Sequence, residues 1–124
     1  METYVLAPPA DAIERLDELL VAPKFGPDGA LYTGVSDPVV RRAAEAIINT
    51  AIAQVRDLLR SPTDSAAVLH IFRAGLQRLT LSDTEDRERA AIHVEEIMEC
   101  IGLESSQGLL NEFVYGFEPG NLAP

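Results

Sequence analysis

Apolar residues recur every three to four positions along most of the chain, and no segment alternates convincingly with a period of two. Helices with short connections pack as antiparallel bundles. We therefore expect an all-α fold, a single-domain antiparallel bundle of four to five helices over residues 1–124, with 1–9 and 117–124 irregular. The predicted helices run from Ala10 to Ala22, from Pro38 to about Arg60, from after Asp64 to near Leu79, from Ser82 past Cys100, and from after Ser106 to Tyr115 or Gly116.

A linker rich in proline and glycine separates the first two predicted helices. Its sequence, PKFGPDGALYTGVSD, forbids a long helix, and Asp28-Gly29 is typical of a turn. The linker also carries Phe25, Leu31, Tyr32 and Val35, which a merely flexible connection would not need. We expect it to lie across the bundle and to bury some of these side chains.

The fourth predicted helix, SDTEDRERAAIHVEEIMEC, carries seven carboxylates, a histidine and the only cysteine. Ser82 and Glu85 have the spacing of a capping box, which places the helix start at Ser82. At 100° per residue, one side is apolar and predicts a core contact. The opposite side gathers carboxylates around one apolar residue, Ile92. We therefore predict a partner-binding surface that consists of Glu88, Ile92, Glu95, Glu96 and Glu99.

A row of possible ligands borders these two sides, namely Asp86, His93, Glu96 and Cys100. His93-x-x-Glu96 and Glu96-x-x-x-Cys100 have spacings that let side chains converge on one cation. No second motif of this kind supplies ligands from another helix, so we predict neither a metal nor another cofactor. If a metal were bound, these four residues would be its ligands.

Two further Glu-x-x-Glu spacings, Glu85–Glu88 and Glu96–Glu99, together with Glu14-x-x-Asp17, resemble the magnesium motifs of all-helical nucleotide pyrophosphohydrolases. That resemblance implies a divalent-metal hydrolase of a phosphorylated small molecule, with His93 as a base. However, no group of lysines and arginines is available for the substrate phosphates. Cys100 and His93 lie about 10 Å apart along the helix axis, too far for a nucleophile and its base. The incomplete catalytic set favours a non-enzymatic protein.

Composition and charge narrow the function classes. The net charge of −10, from 20 acidic and 10 basic residues, would repel phosphate backbones and disfavours nucleic acid and anionic membranes as partners. The same charge would attract a basic protein. No apolar run is long enough to span a bilayer, and the N-terminus has no signal-peptide pattern. A single cysteine fits a reducing compartment. These features predict a cytoplasmic protein.

Three stretches, ALYTGVSDP, DTEDRERAAIHVEEIMECIGLESSQGLL and EFVYGF, resemble a small family of uncharacterised bacterial domains of about this length. The resemblance implies a compact helical bundle and carries no activity or site residues. Small size and acidity are also shared with bacterial immunity proteins, which neutralise a cognate toxin. The leading hypothesis is thus an acidic helical interaction protein, of immunity or antitoxin type, that binds a more basic protein. The metal-dependent hydrolase and a structural homodimer are the alternatives.

Overall fold

The computed structural model describes residues 3–29 and 31–115 and contains five helices in this part of the chain. They are α1 (Ala12–Val21), α2 (Pro38–Leu58), α3 (Ser65–Arg78), α4 (Thr84–Ile101) and α5 (Leu109–Tyr115). The described residues contain no β-strand, so the predicted all-α bundle is confirmed. Gly116 and the predicted irregular tail, 117–124, lie outside the described residues, as do residues 1 and 2.

Aspartates cap the three longest helices. Asp37 accepts hydrogen bonds from the backbone amides of Val39 and Val40, and Asp64 accepts one from Ala67. The predicted N-cap of α4, Ser82, is wrong by one residue. Asp83, whose backbone is extended, caps α4 and accepts from the amide of Glu85 at 2.8 Å, so the helix begins at Thr84.

The long helix α2 packs against α1, α3 and α4. Its buried side faces the bundle through Ala44, Ile48, Ala51, Ile52 and Val55. Helix α3 crosses α2 at Gly75. A Cβ atom there would lie 3.9 Å from side-chain atoms of both Ala51 and Ile47, which is ordinary van der Waals contact.

Helix α4 packs between α1 and α5 and also contacts α2. The five residues of its predicted apolar side, Ala90, Val94, Ile97, Met98 and Ile101, are all buried. Gly102 ends the helix in the left-handed conformation, with φ of 76°. This packing leaves the opposite side of α4 toward solvent and fixes the orientation of the acidic residues.

The linker lies across the bundle, as predicted, and we call it the strap (residues 23–35). Phe25, Tyr32 and Val35 are buried, whereas Leu31 is exposed. The backbone amide of Val35 donates to the carbonyl of Phe25 at 2.9 Å, which closes the strap into a loop. Residues 3–9 are not helical, and two backbone hydrogen bonds join Leu6 to Thr63 and Tyr4 to Ser65, the first residue of α3.

Candidate functional site

The acidic side of α4 is exposed as predicted, but its carboxylates differ in their partners. Glu99 forms a salt bridge with Arg15 of α1 at 3.4 Å. The carboxylate of Glu96 lies within hydrogen-bond distance of Nδ1 of His93, at 3.1 Å. By contrast, the carboxylates of Glu85, Glu88 and Glu95 have no ion pair or side-chain hydrogen bond within the described part of the chain. Within the predicted surface, Glu96 and Glu99 therefore have partners, whereas Glu88 and Glu95 have none among the described residues; Glu85 was not part of that prediction.

The unpartnered carboxylates surround Ile92, whose side chain is partly exposed, at 42%. A pocket of about 260 Å³ lies on one side of Ile92, between α4 and α5, with Glu88 and Glu95 at its rim. A second pocket, of about 240 Å³, lies on the other side, between α4 and the strap, with Glu85 and Glu88 at its rim. Glu88 and Ile92 line both pockets and so form the ridge between them.

Each of these pockets carries one strongly exposed apolar side chain. Leu31 of the strap is 89% exposed and lines one pocket, and Tyr115 at the end of α5 is 57% exposed and lines the other. Exposed apolar residues that gather in one place, inside a polar rim, are typical of interaction surfaces. We call this surface the Ile92 face, and it consists of Leu31, Glu85, Glu88, Ile92, Glu95 and Tyr115.

On the other flank of α4, the strap is fixed to the helix by polar contacts. The hydroxyl of Tyr32 donates to Asp86 at 2.8 Å, and Arg89 pairs with Asp28 at 2.8 Å. The guanidinium of Arg89 also lies 4.4 Å from the centre of the Tyr32 ring. Burial and the nearby carboxylate of Asp86 raise the pKa of Tyr32, so its hydroxyl keeps the proton that it donates.

The strap also inserts an aromatic ring beside His93. Phe25 is almost fully buried and meets the imidazole edge-on, with ring centres 5.1 Å apart and planes at 74°. Its φ of 64° is unusual for a bulky residue. Gly34 supports this turn, because a Cβ atom there would lie 2.8 Å from the backbone nitrogen of Pro27. Packing of the strap against α4 therefore maintains a backbone conformation that is unfavourable by itself.

His93 is held as a neutral imidazole. Burial lowers its pKa, and this effect outweighs the opposing influence of the Glu96 carboxylate. Since Glu96 can only accept when ionised, Nδ1 carries the proton and Nε2 is an acceptor. Nε2 is buried without a hydrogen-bond partner among the described residues. An unsatisfied buried acceptor costs about 1–3 kcal/mol, which offsets part of the stabilisation from the packing of Phe25 against His93.

Lys24 is the buried charged residue of the strap. Only 4% of it is exposed, and its ammonium donates to the carbonyls of Leu19 and Ala22 at 2.5 and 2.8 Å. These carbonyls belong to the C-terminal end of α1, where a cation is favourable. Burial lowers the pKa of Lys24, against the raising effect of Glu45 and Glu96. Lys24 therefore caps the C-terminal end of α1, which is a structural role.

A third cavity, of about 330 Å³, lies between the strap, the end of α1 and α4. Its charged lining residues are Lys24, Arg89, Asp28 and Glu96, two of each sign. Lys24 and Arg89 already have protein partners, and the buried Nε2 of His93 is closed to solvent. This cavity therefore selects no ligand charge, unlike the pockets of the Ile92 face.

The four residues of the border row do not form one cation site. Asp86 accepts from Tyr32, His93 pairs with Glu96, and Cys100 is buried. Burial raises the pKa of the Cys100 thiol, which keeps it protonated. Asp17, from the pyrophosphohydrolase-like spacing, pairs with Arg56 at 2.7 Å. Among the described residues, no three histidines, cysteines or carboxylates are grouped as metal ligands.

Sequence reasoning missed the contacts that the strap makes with α4. Tyr32 and Asp86 are 54 residues apart, and Asp28 and Arg89 are 61 apart. The buried aromatic residues of the linker were a signal that it packs on the bundle, but not of where. For Lys24, the available signal was its position just after the C-terminus of α1, where lysine often caps the last carbonyls.

The fold defines a small all-helical domain, in which none of the described helices has the length and apolarity needed to cross a membrane. The family model for a domain of unknown function, DUF4844, matches residues 7–118, so the chain belongs to this family. This confirms the resemblance to uncharacterised helical domains. No curated protein matches the chain.

A solved structure is also similar over nearly the whole chain. It is the crystal structure of a DUF3571 family protein from Acinetobacter baumannii AYE, with a TM-score of 0.73 and 33% sequence identity. The similarity covers 91% of this chain and 95% of that one. It supports the helical fold and assigns no activity. The likeness to immunity proteins in size and charge stays a prediction.

Proposed function

We propose that this protein is a non-enzymatic interaction module that binds a more basic protein through the Ile92 face. The observation that carries the proposal is a set of three carboxylates, Glu85, Glu88 and Glu95, that lie around a partly exposed Ile92 and have no partner among the described residues. An apolar centre within a charged rim is the usual arrangement of a transient interface.

The charge of the whole chain supports the same partner chemistry. A net charge of −10 attracts a basic protein at long range and raises its association rate, most strongly at low salt. Glu96 and Glu99, which the sequence placed in the same surface, add to this field. Because His93 and Arg15 already pair with them, we expect them to contribute less to direct contacts than Glu88 and Glu95.

The specific form of the proposal is an immunity or antitoxin role, in which the partner is a basic toxin. Blocking a toxin requires binding alone, which agrees with a chain whose border row forms no cation site among the described residues. An acidic surface that covers the basic surface of a nuclease-like toxin would prevent the toxin from approaching its anionic substrate.

A pair of matched charge variants tests this proposal. Glu88→Lys with Glu95→Lys changes the Ile92 face, whereas Glu14→Lys with Glu18→Lys changes exposed residues of α1. Each Glu→Lys change adds two charge units, so both variants move from −10 to −6. We expect cross-linking in the native cell to capture a basic protein with the wild type and the α1 variant, but not with the α4 variant.

The captured protein then tests the toxin role. We expect its expression alone to arrest growth, and co-expression of the wild type, but not of the α4 variant, to restore growth. Equal capture by both variants would contradict the role of the Ile92 face. A captured partner that is harmless alone would contradict the toxin role and leave the interaction proposal standing. Both variants should keep the stability of the wild type within about 0.5 kcal/mol, since the residues are exposed.

A further inference from the structure

The Ile92 face has two depressions, each lined by both apolar and charged side chains, and a ridge separates them. Ile92 and Glu88 line both pockets, and Leu31 and Tyr115 mark the outer ends. Volumes of about 260 and 240 Å³ lie below the range of about 300–1,000 Å³ that is typical of small-molecule sites. Each is instead suited to a side chain of a protein ligand.

The rim defines the charge that such a ligand must carry. Glu85 and Glu88 border one pocket, and Glu88 and Glu95 border the other. The cation at this surface, Arg89, is already paired with Asp28 and lies over Tyr32. A second copy of the chain would bring the same carboxylates against each other, which is repulsive. Charge complementarity therefore favours a basic ligand over self-association.

We infer that the Ile92 face binds a basic polypeptide segment that crosses α4 and places one apolar side chain in each pocket, on either side of Ile92. This inference rests on the proposed function and specifies the chemistry of the partner. Lysine or arginine side chains of the segment meet Glu85, Glu88 and Glu95, while the two apolar anchors bury Leu31 and Tyr115.

The narrow ridge also restricts the spacing of the two anchors. Both must project from one side of the segment and be close neighbours. In an extended segment, residues i and i+2 share one side and lie about 6–7 Å apart. In a helical segment, residue i shares one side with residues i+3 and i+4, and their Cβ atoms lie about 5–6 Å apart. The expected motif is thus a pair of apolar residues at one of these spacings, flanked by cations.

Selection from a phage-displayed library of random linear peptides tests this motif without knowledge of the natural partner. The full-length protein is the target, and the Glu88→Lys, Glu95→Lys variant is used for counter-selection. We expect enriched peptides to be basic and to contain the apolar pair. For synthetic copies, replacing either anchor by alanine should weaken binding about tenfold, as expected from the loss of about two buried methylene groups.

Single substitutions on the protein test the two pockets separately. Leu31→Ala and Tyr115→Ala should each weaken binding of the wild-type peptide several-fold and have little effect on the peptide that lacks the corresponding anchor. Val39→Ala removes an equally exposed apolar side chain from α2, away from this face, and should change nothing. Perturbed backbone amide resonances should lie on α4, the strap and α5.

Four results would overturn the inference. Enrichment of no peptide, or of peptides without the apolar pair, would exclude the two anchors. Enriched peptides that are basic, lack the apolar pair and lose binding to the Glu88→Lys, Glu95→Lys variant would also exclude the two anchors. They would nevertheless support the proposed function. Peptide binding that appears only after residues 116–124 are deleted would assign the face to the chain's own C-terminal segment. A dimer in size-exclusion chromatography that Ile92→Lys dissociates would assign it to a second copy.

Discussion

The two flanks of α4 carry similar side chains and use them differently. On the flank that faces the strap, Asp86, Arg89 and His93 each have a partner from the strap or from α4 itself. On the flank that carries the Ile92 face, Glu85, Glu88 and Glu95 have none among the described residues. The same helix is thus part of the fold on one side and open to an external ligand on the other.

This difference shows that the density of charged residues along a helix does not reveal which of them already have partners within the fold. The two residues that stand out in the sequence, His93 and Asp86, contact the strap. Asp86 accepts a hydrogen bond from Tyr32, and His93 packs against Phe25. The open flank carries ordinary glutamates. Substitutions should therefore affect stability on the strap flank and binding on the open flank, and the following predictions test this separation.

The largest effect is expected for Phe25→Ala. This substitution removes an almost fully buried ring that packs against His93. Such a truncation should lower the free energy of unfolding by about 3–5 kcal/mol. Chemical denaturation monitored by circular dichroism measures this. Leu31→Ala, in the same strap but exposed, should change stability by no more than about 0.5 kcal/mol. A similar small effect for both variants would show that the strap contributes little to the fold.

A smaller effect is expected for Tyr32→Phe, which removes one hydroxyl. Because that hydroxyl donates to the charged Asp86 at 2.8 Å, its loss should cost about 1.5 kcal/mol. The control is Tyr115→Phe on the open flank, which should be neutral because none of the described residues forms a hydrogen bond with that hydroxyl. A double-mutant cycle with Asp86→Asn should give a coupling energy well above zero, and additive effects would contradict the contact.

The smallest effect concerns the pH dependence of stability through His93. The pKa of folded His93 is lowered, mainly by burial. The Glu96 carboxylate raises this pKa, and the positive charges of Lys24 and Arg89 lower it. As the pH falls below about 6.5, the unfolded chain binds a proton that the folded chain does not. His93 therefore reduces stability as the pH falls below this value and contributes no pH dependence above it.

The measurement is denaturation of the wild type and of His93→Phe between pH 8 and 5. The variant should lose less stability on acidification, and removal of the unsatisfied Nε2 acceptor should offset the lost Glu96 contact at pH 7. The control is His70→Asn, which removes an exposed histidine of α3 and so separates the effect of the buried His93 from the effect of losing any histidine. Parallel curves for wild type and His93→Phe would contradict the lowered pKa.

Periodicity predicted the helices and the two sides of α4, because burial against a neighbouring helix repeats every three to four residues. Ala90, Val94 and Ile97 are buried, and Glu88 and Glu95 are exposed, as this argument requires. The strap was placed on the bundle by a different argument, namely the large apolar side chains within a segment rich in proline and glycine. The start of α4 was misplaced because Ser82 and Asp83 are both favourable caps, and local backbone geometry selects between them.

The contacts that distinguish the two flanks could not be predicted in the same way. They depend on where an irregular segment crosses a helix, and the crossing is set by the turn at Phe25 and the close approach at Gly34. Cys100 was placed on the border of α4 and proved to be buried, because α4 has neighbours on two sides, α1 and α5. A helical wheel gives the spacing of residues but not the number of neighbouring helices.

The closure of the strap has a consequence for how such a domain can diversify. Since the carbonyl of Phe25 and the amide of Val35 are joined, the chain leaves and re-enters the bundle at one point, like an Ω-loop. At Gly29 an added Cβ atom would meet no other atom within 4 Å. Lengthening a loop is inexpensive, about 0.6 kcal/mol per doubling. Insertions beside Gly29 can therefore reshape the neighbourhood of Leu31 while the helices keep their positions.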